Sequence, residues 1–262
     1  MKQSLVQISA ALVIALVASG APAYAQEASA WARDAKSMAR LVAAGGRDMA
    51  AGVEITLAPG AVTYWRAPGE AGVPPRFSFE GSANLARAEV FYPAPKRIAE
   101  PDGEVFGYEG GVTFPISVTP IEPAEPVGLS LHMDYAACER ICVPARADLA
   151  LTLAPSAPPS RFSASLAAAF ASVPSQAEPG RVSVTRNADG WLVRPRADDL
   201  FVEAPEGWFF QSRKRADGFV LTLAQRPPGA PDAPPPALRL TFVDGDRAFE
   251  AVIDLDAAAL KH

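Results

Sequence analysis

The chain has 262 residues, of which 49% are hydrophobic and 20% charged, enough for one or two domains with sizeable cores and too apolar for disorder throughout. Its 26 prolines are about twice the usual ~5% share, which disfavours long continuous helices and marks breaks in an extended-chain architecture. A formal charge of −5 without any dense Lys/Arg block leaves no electrostatic footprint for nucleic acid.

Residues 1–25 read as a cleavable export signal: Lys2 supplies a positive start, residues 5–18 an apolar stretch, and Ala23-Tyr24-Ala25 a small-x-small cleavage pattern. The stretch is shorter than the ~20 residues of a membrane span and runs into Gly20 and Pro22. Cleavage after Ala25 and a mature start at Gln26 are expected, with no transmembrane segment after signal cleavage and a location outside the cytoplasm.

In chain order, a short strand is expected at 38–43, ended by Gly45-Gly46. Residues 53–57 alternate apolar and polar, the period of a strand with one buried face, and Pro59-Gly60 turns the chain into 62–65. Further strands are expected at 76–79, 88–92, 111–118, 127–134 and 147–153, at roughly ten-residue spacing with Pro, Gly, Asn or Asp between them. That is the pattern of a β-sandwich. Residues 155–159 read as a linker, and Ser160 is placed to cap a short helix to 171 whose Phe162, Leu166 and Phe170 form one apolar stripe. Alternation then resumes at 182–185, 190–193, 200–203, 208–210, 219–223, 238–242 and 248–254, with a hairpin turn at 187–190 and a Pro-rich surface insert at 224–236. The expected division is a signal peptide (1–25), a first all-β domain (26–154), a linker with a short helix (155–177) and a second, smaller all-β domain (178–262).

The chemistry-bearing segment is 135–144, Tyr-Ala-Ala-Cys-Glu-Arg-Ile-Cys-Val-Pro. Its Cys138 and Cys142 are the only cysteines, in a chain bound for an oxidising compartment. One reading is a structural disulfide, yet a bridge across so short a segment restrains the unfolded chain by only roughly 2 kcal/mol. The other is a pair that cycles between dithiol and disulfide, which such proximity permits when the Cα atoms come within about 7 Å. Arg140 and Arg146 favour a thiolate, whereas Glu139 and Asp134 oppose it; Tyr135, Glu139 and Arg140 are the neighbours placed to tune the pair. A third reading is Cu(I), held by both sulfurs with His132 or Met133 assisting. Hydrolase and nucleotide motifs are missing from the sequence, since it contains no G-x-S-x-G, H-E-x-x-H or phosphate-binding glycine loop. Trp31, Trp65, Trp191 and Trp208 are expected in the core.

Several motifs together carry a resemblance. Residues 63–75 (Thr-Tyr-Trp-Arg-Ala-Pro-Gly-Glu-Ala-Gly-Val-Pro-Pro), Tyr92-Pro93-Ala94-Pro95-Lys96-Arg97, Phe106-Gly107-Tyr108, Thr113-Phe114-Pro115-Ile116 and the cysteine segment are similar to the N-terminal periplasmic domain of DsbD and ScsB thiol:disulfide interchange proteins. The order and spacing match over about 37–153, and the region from 178 resembles the second β-region of ScsB-like proteins. The resemblance implies an immunoglobulin-like sandwich carrying a redox pair, Cys138 and Cys142, with no cofactor beyond that disulfide. It implies electron transfer to periplasmic thioredoxin-fold proteins that isomerise disulfides or prepare apocytochrome c, or a copper-stress pathway. Residues 104–108 resemble the family's cap loop, making Phe106 and Tyr108 the expected shields of the sulfurs. The three-residue spacing is closer to ScsB than to DsbD. The relatives' membrane conduit and thioredoxin-like domain are not read here, so the expected electron source is an inner-membrane CcdA-like or DsbD-type transporter or a soluble periplasmic thioredoxin. The alternatives are a non-catalytic binding module with a structural disulfide, or a Cu(I) chaperone. C-x3-C followed by proline is also similar to the copper-chaperone Sco proteins, but these are thioredoxin-like and the βαβ pattern is missing.

Overall fold

A computed structural model describes residues 26–46, 49–69, 72–100, 103–139, 141–230 and 237–255. The export signal read in residues 1–25 and the expected tuning residue Arg140 lie outside the described residues.

Period-2 alternation drives the N-terminal half. Its strands are β1 (Ala32–Arg33), β2 (Ser37–Ala43), β3 (Ala50–Leu57), β4 (Val62–Gly69), β5 (Arg76–Ser78), β6 (Leu85–Val90), β7 (Lys96–Glu100), β8 (Gly103–Glu109), β9 (Gly111–Pro120), β10 (Val127–Cys138) and β11 (Cys142–Leu153). They form one sheet in the order β1-β2-β3-β9-β6 and a second in the order β11-β10-β4-β8-β7, with β5 also on β10. The sheets face each other across one core. Leu41, Val53, Ile55, Phe114 and Ile116 come from the first, and Trp65, Leu129, Leu131, Met133, Leu149 and Leu151 from the second. Interlocking inward faces of two antiparallel sheets make the expected sandwich.

Two strand assignments in this half differ from the sequence reading. The segment 96–109, read partly as a cap loop, is a hairpin, β7 paired with β8 from Lys96↔Gly107 to Glu100↔Gly103. The strands expected at 127–134 and 147–153 continue to the cysteines, because every extra residue pair adds ladder hydrogen bonds over a well-covered surface.

The linker leads to α1 (Ser163–Ala171), where Leu166 is buried and Phe170 packs against Phe91 at 5.9 Å. Ser160 is not its cap: the N-cap position is Phe162, with no side-chain cap bond. The Ser160 hydroxyl instead accepts from Phe162 N–H and donates to the Ala43 carbonyl, tying the linker to the end of β2.

The C-terminal half comprises β12 (Ser175–Gln176), β13 (Ser183–Asn187), β14 (Gly190–Arg194), β15 (Asp199–Glu203), β16 (Phe209–Arg215), β17 (Gly218–Gln225), β18 (Leu238–Asp244) and β19 (Arg247–Ile253). Two four-stranded sheets, β12-β19-β18-β15 and β13-β14-β17-β16, enclose a separate core of Trp191, Val193, Leu200, Phe219, Leu221, Leu240 and Phe242. Strand β15 alternates between the two cores, and its Leu200 stays in the C-terminal one. Phe201 enters the N-terminal one, edge-on to Trp65 at 5.9 Å and to Phe106 at 4.9 Å. Arg66 pairs with Glu203 and Glu250, each at 2.7 Å, and Arg97 with Asp199 at 2.8 Å. Burial works against the Arg66 charge, but the two carboxylates more than offset it and its pKa lies above the usual value.

Candidate functional site

The long hairpin of β10 and β11 carries the cysteines at its tip. The strands pair residue by residue from Val127↔Leu153 to Cys138↔Cys142, leaving three residues for the turn. Within β10, alternation sends Met133, Tyr135 and Ala137 into the sandwich core and Ala136 and Cys138 to the opposite face. The last register pair places the two cysteine Cα atoms 4.0 Å apart, and the sulfurs form a disulfide.

That opposite face is covered at this end. Val62 and Tyr64 of β4, Val105 of β8 and Ala136 pack around Cys138, with Ile98 of β7 alongside. Cys138 is only 2% exposed, whereas Cys142, on the edge strand, is open to solvent. The two sulfurs therefore have different access to an attacking thiolate.

The Tyr64 hydroxyl donates to Cys142 Sγ at 3.4 Å. Burial, with Glu100 adding to it, pushes the Tyr64 pKa up to about 12, so the hydroxyl keeps its proton wherever a thiol of pKa about 8.5 titrates. The Tyr64 ring is overlaid by the segment after β4: a Cβ at Gly72 would lie 2.7 Å from Tyr64 Cδ1, so only glycine lets the chain approach this closely. Gly107 plays the same part beneath, where a Cβ would meet the Thr63 carbonyl at 2.1 Å. At the tip, Lys36 holds Glu139 at 2.7 Å and Ile141 is 74% exposed.

Cys138 and Cys142 thus stand together as expected, and Glu139 is beside them in the turn. The expected shields are placed differently. Phe106 and Tyr108 are out of phase with Val105, so they face the core while Val105 faces the sulfurs. Phe106 packs on Phe201, and Tyr108 donates its hydroxyl proton to the Pro93 carbonyl. The aromatic residue at the sulfurs is Tyr64, which sequence reasoning passed over. Its signal was the Val62/Tyr64 alternation after the turn, but nothing local couples that strand to a cysteine 78 positions on. Tyr135 also points inward, sharing a 2.7 Å hydrogen bond with Ser37, and burial raises its pKa. Asp134 and Arg146 are cross-strand partners bonded at 3.0 Å, and Arg146 holds the Asp134 pKa below its usual value.

The copper set does not come together. Met133 is fully buried in the core, on the face away from Cys138. His132 lies six residues back along β10, about 20 Å at ~3.3 Å per residue, and its ring is bonded to Asp148.

Residues 34–154 match the family of the thiol:disulfide interchange protein DsbD, N-terminal region. Among solved structures, the N-terminal periplasmic domain of ScsB from Proteus mirabilis superposes with a TM-score of 0.67 and 20% identity, covering 87% of this chain and 98% of that one. No curated sequence relative matches. Among the described residues no helix is long and apolar enough to cross a membrane. Residues 34–154 thus match the DsbD N-terminal family and fold as an immunoglobulin-like sandwich, and the ScsB-like fold extends over most of the rest.

Proposed function

We propose, from the premise that residues 34–154 match the DsbD N-terminal family, that this protein is a periplasmic electron carrier serving thioredoxin-fold partners through Cys138 and Cys142. The observation that carries this reading is the unequal access to the two sulfurs, Cys142 exposed and Cys138 2% exposed. In the dithiol form the Cys142 thiolate attacks the partner's disulfide, forming a mixed disulfide and releasing one partner sulfur as a thiolate that takes up a proton. Cys138 then attacks Cys142 Sγ as a thiolate, re-forming the bond seen here and releasing the second partner thiolate. Two electrons have passed to the partner. An inner-membrane CcdA-like or DsbD-type transporter, or a periplasmic thioredoxin, restores the dithiol, and the recipients serve cytochrome c maturation, disulfide isomerisation or a copper-stress pathway.

Equilibration of the mature protein with glutathione buffers tests this. A reduction potential between roughly −180 and −270 mV, the span of working exchange proteins, is the expected result. A value below about −300 mV would mark a structural bridge and remove the proposal.

Tyr64 has a defined part in it. Once the bond opens, its protonated hydroxyl is placed to donate to the Cys142 thiolate. Hydrogen bonds to charged groups contribute about 1.5–3 kcal/mol, and 1.36 kcal/mol corresponds to one pKa unit. Tyr64→Phe keeps the ring and should raise the pH midpoint of Cys142 alkylation by about one unit or more. An unchanged midpoint in the reduced, folded variant would show that the hydroxyl does not act on the thiolate.

A further inference from the structure

Three neighbouring strands show the same arrangement. In β4, Tyr64 faces the disulfide cluster and the next residue, Trp65, meets the C-terminal sandwich through Phe201, while Arg66, past the irregularity in pairing that follows Tyr64, also reaches it through Glu203 and Glu250. In β8, Val105 packs on Cys138 and its neighbour Phe106 packs on Phe201. In β7, Ile98 lies against the cluster and its neighbour Arg97 is bonded to Asp199, to the Leu200 carbonyl and to Ser212. Each strand thus offers one side chain to the sulfurs and the adjacent one to the C-terminal sandwich. Strand alternation is the geometric cause.

We infer that the C-terminal sandwich is a backing for the redox site, and that Phe201 and Asp199 are positioning residues holding Tyr64, Val105 and Ile98 closed over Cys138. This rests on the reading of Cys138 and Cys142 as the exchanging pair and assigns a part to the C-terminal half in that exchange. Phe201 fills the mouth of the N-terminal core and is 1% exposed. Because core packing is dense, a backbone shift at Trp65 or Phe106 carries its neighbour, Tyr64 or Val105, with it. Opening the interface therefore loosens the cover on Cys138, and a local opening raises the rate of any reaction that needs it.

The test is the rate at which iodoacetamide alkylates the Cys138 thiol in the folded, reduced Cys142→Ser chain, where no open sulfur competes with it and the thiolate displaces iodide. Phe201→Leu, which trims the plug, and Asp199→Asn, which removes the negative charge facing Arg97 while keeping the shape, should each accelerate that alkylation by at least about threefold at a temperature well below melting. Ser183→Ala, at an exposed site on β13 away from the interface, serves as the control and should leave the rate unchanged. A purely structural role for the interface would lower the melting temperature of the variants without changing the rate, and that result would overturn the inference. So would an equal acceleration in the Ser183→Ala control. Because the probe is a small alkylating agent, this comparison stands apart from partner recognition. A wild-type protein that exchanges with no thioredoxin-fold protein would remove the proposed function while leaving the rate comparison to be read.

Discussion

Cys142→Ser should abolish disulfide exchange with a thioredoxin-fold partner, whereas Cys138→Ser should stall as a mixed disulfide through Cys142. The difference in outcome follows from access. Only Cys142, on the edge strand at the hairpin tip, can be reached by a second protein, while Cys138 is enclosed by Val62, Tyr64, Val105 and Ala136. Removing the exposed sulfur leaves a buried thiol that cannot meet a partner's disulfide. Removing the buried one keeps the first attack and deletes the resolving step, so the intermediate accumulates. Non-reducing electrophoresis after mixing each variant with an oxidised thioredoxin separates the cases. Trapping by Cys142→Ser and not by Cys138→Ser would reverse the two roles. Turnover at the normal rate by either variant would eliminate the dithiol mechanism. Neither change should disturb the fold appreciably, because the bridge closes a very short segment and the β10/β11 ladder holds the hairpin without it.

The largest stability effect is expected at Phe114. Its ring is fully buried in β9 and is the hub of three edge-on aromatic pairs, with Phe77 at 5.6 Å, Tyr92 at 5.2 Å and Tyr108 at 5.5 Å. Phe114→Ala forfeits the transfer energy of the ring and leaves a cavity between two sheets that cannot close far, a combination that costs about 3–5 kcal/mol. Against a typical total of ~5–15 kcal/mol this leaves a marginal protein. Phe114→Leu, which keeps most of the volume, should cost much less, under about 1.5 kcal/mol. Urea denaturation followed by tryptophan fluorescence measures both. A loss below about 1 kcal/mol for the alanine variant would show that the neighbouring rings refill the space.

Much of the fold was legible in the sequence because alternation and turn chemistry act over a few residues. The runs at 53–57, 111–118, 219–223 and 238–242 all lie in strands, and Pro59-Gly60 sits at a turn with Gly60 in the left-handed region that glycine supplies. Ser160 deceived for a local reason. A serine ahead of an apolar stripe suits a cap, but here the carbonyl of Ala43, brought close by folding, takes its hydroxyl proton. The segment 104–108 was illegible as a strand because the hairpin is covered on both faces, so Val105, Phe106 and Tyr108 show no apolar-polar contrast.

The sequence by itself determined that the chain alternates into strands, that its cysteines must meet in a tight segment, and which family the first half resembles. These properties depend on the order of residues along the chain. Only the tertiary structure decided which aromatic residue stands at the sulfurs and which cysteine is open. Both answers turn on strand register and sheet order: Cys138 opposite Val62 brings Tyr64 to Cys142, while a one-residue difference in phase sends Phe106 and Tyr108 to the other face. Register between strands so far apart in the chain is set by how two whole sheets pack and by the C-terminal sandwich lying against the first, and local sequence patterns do not encode it.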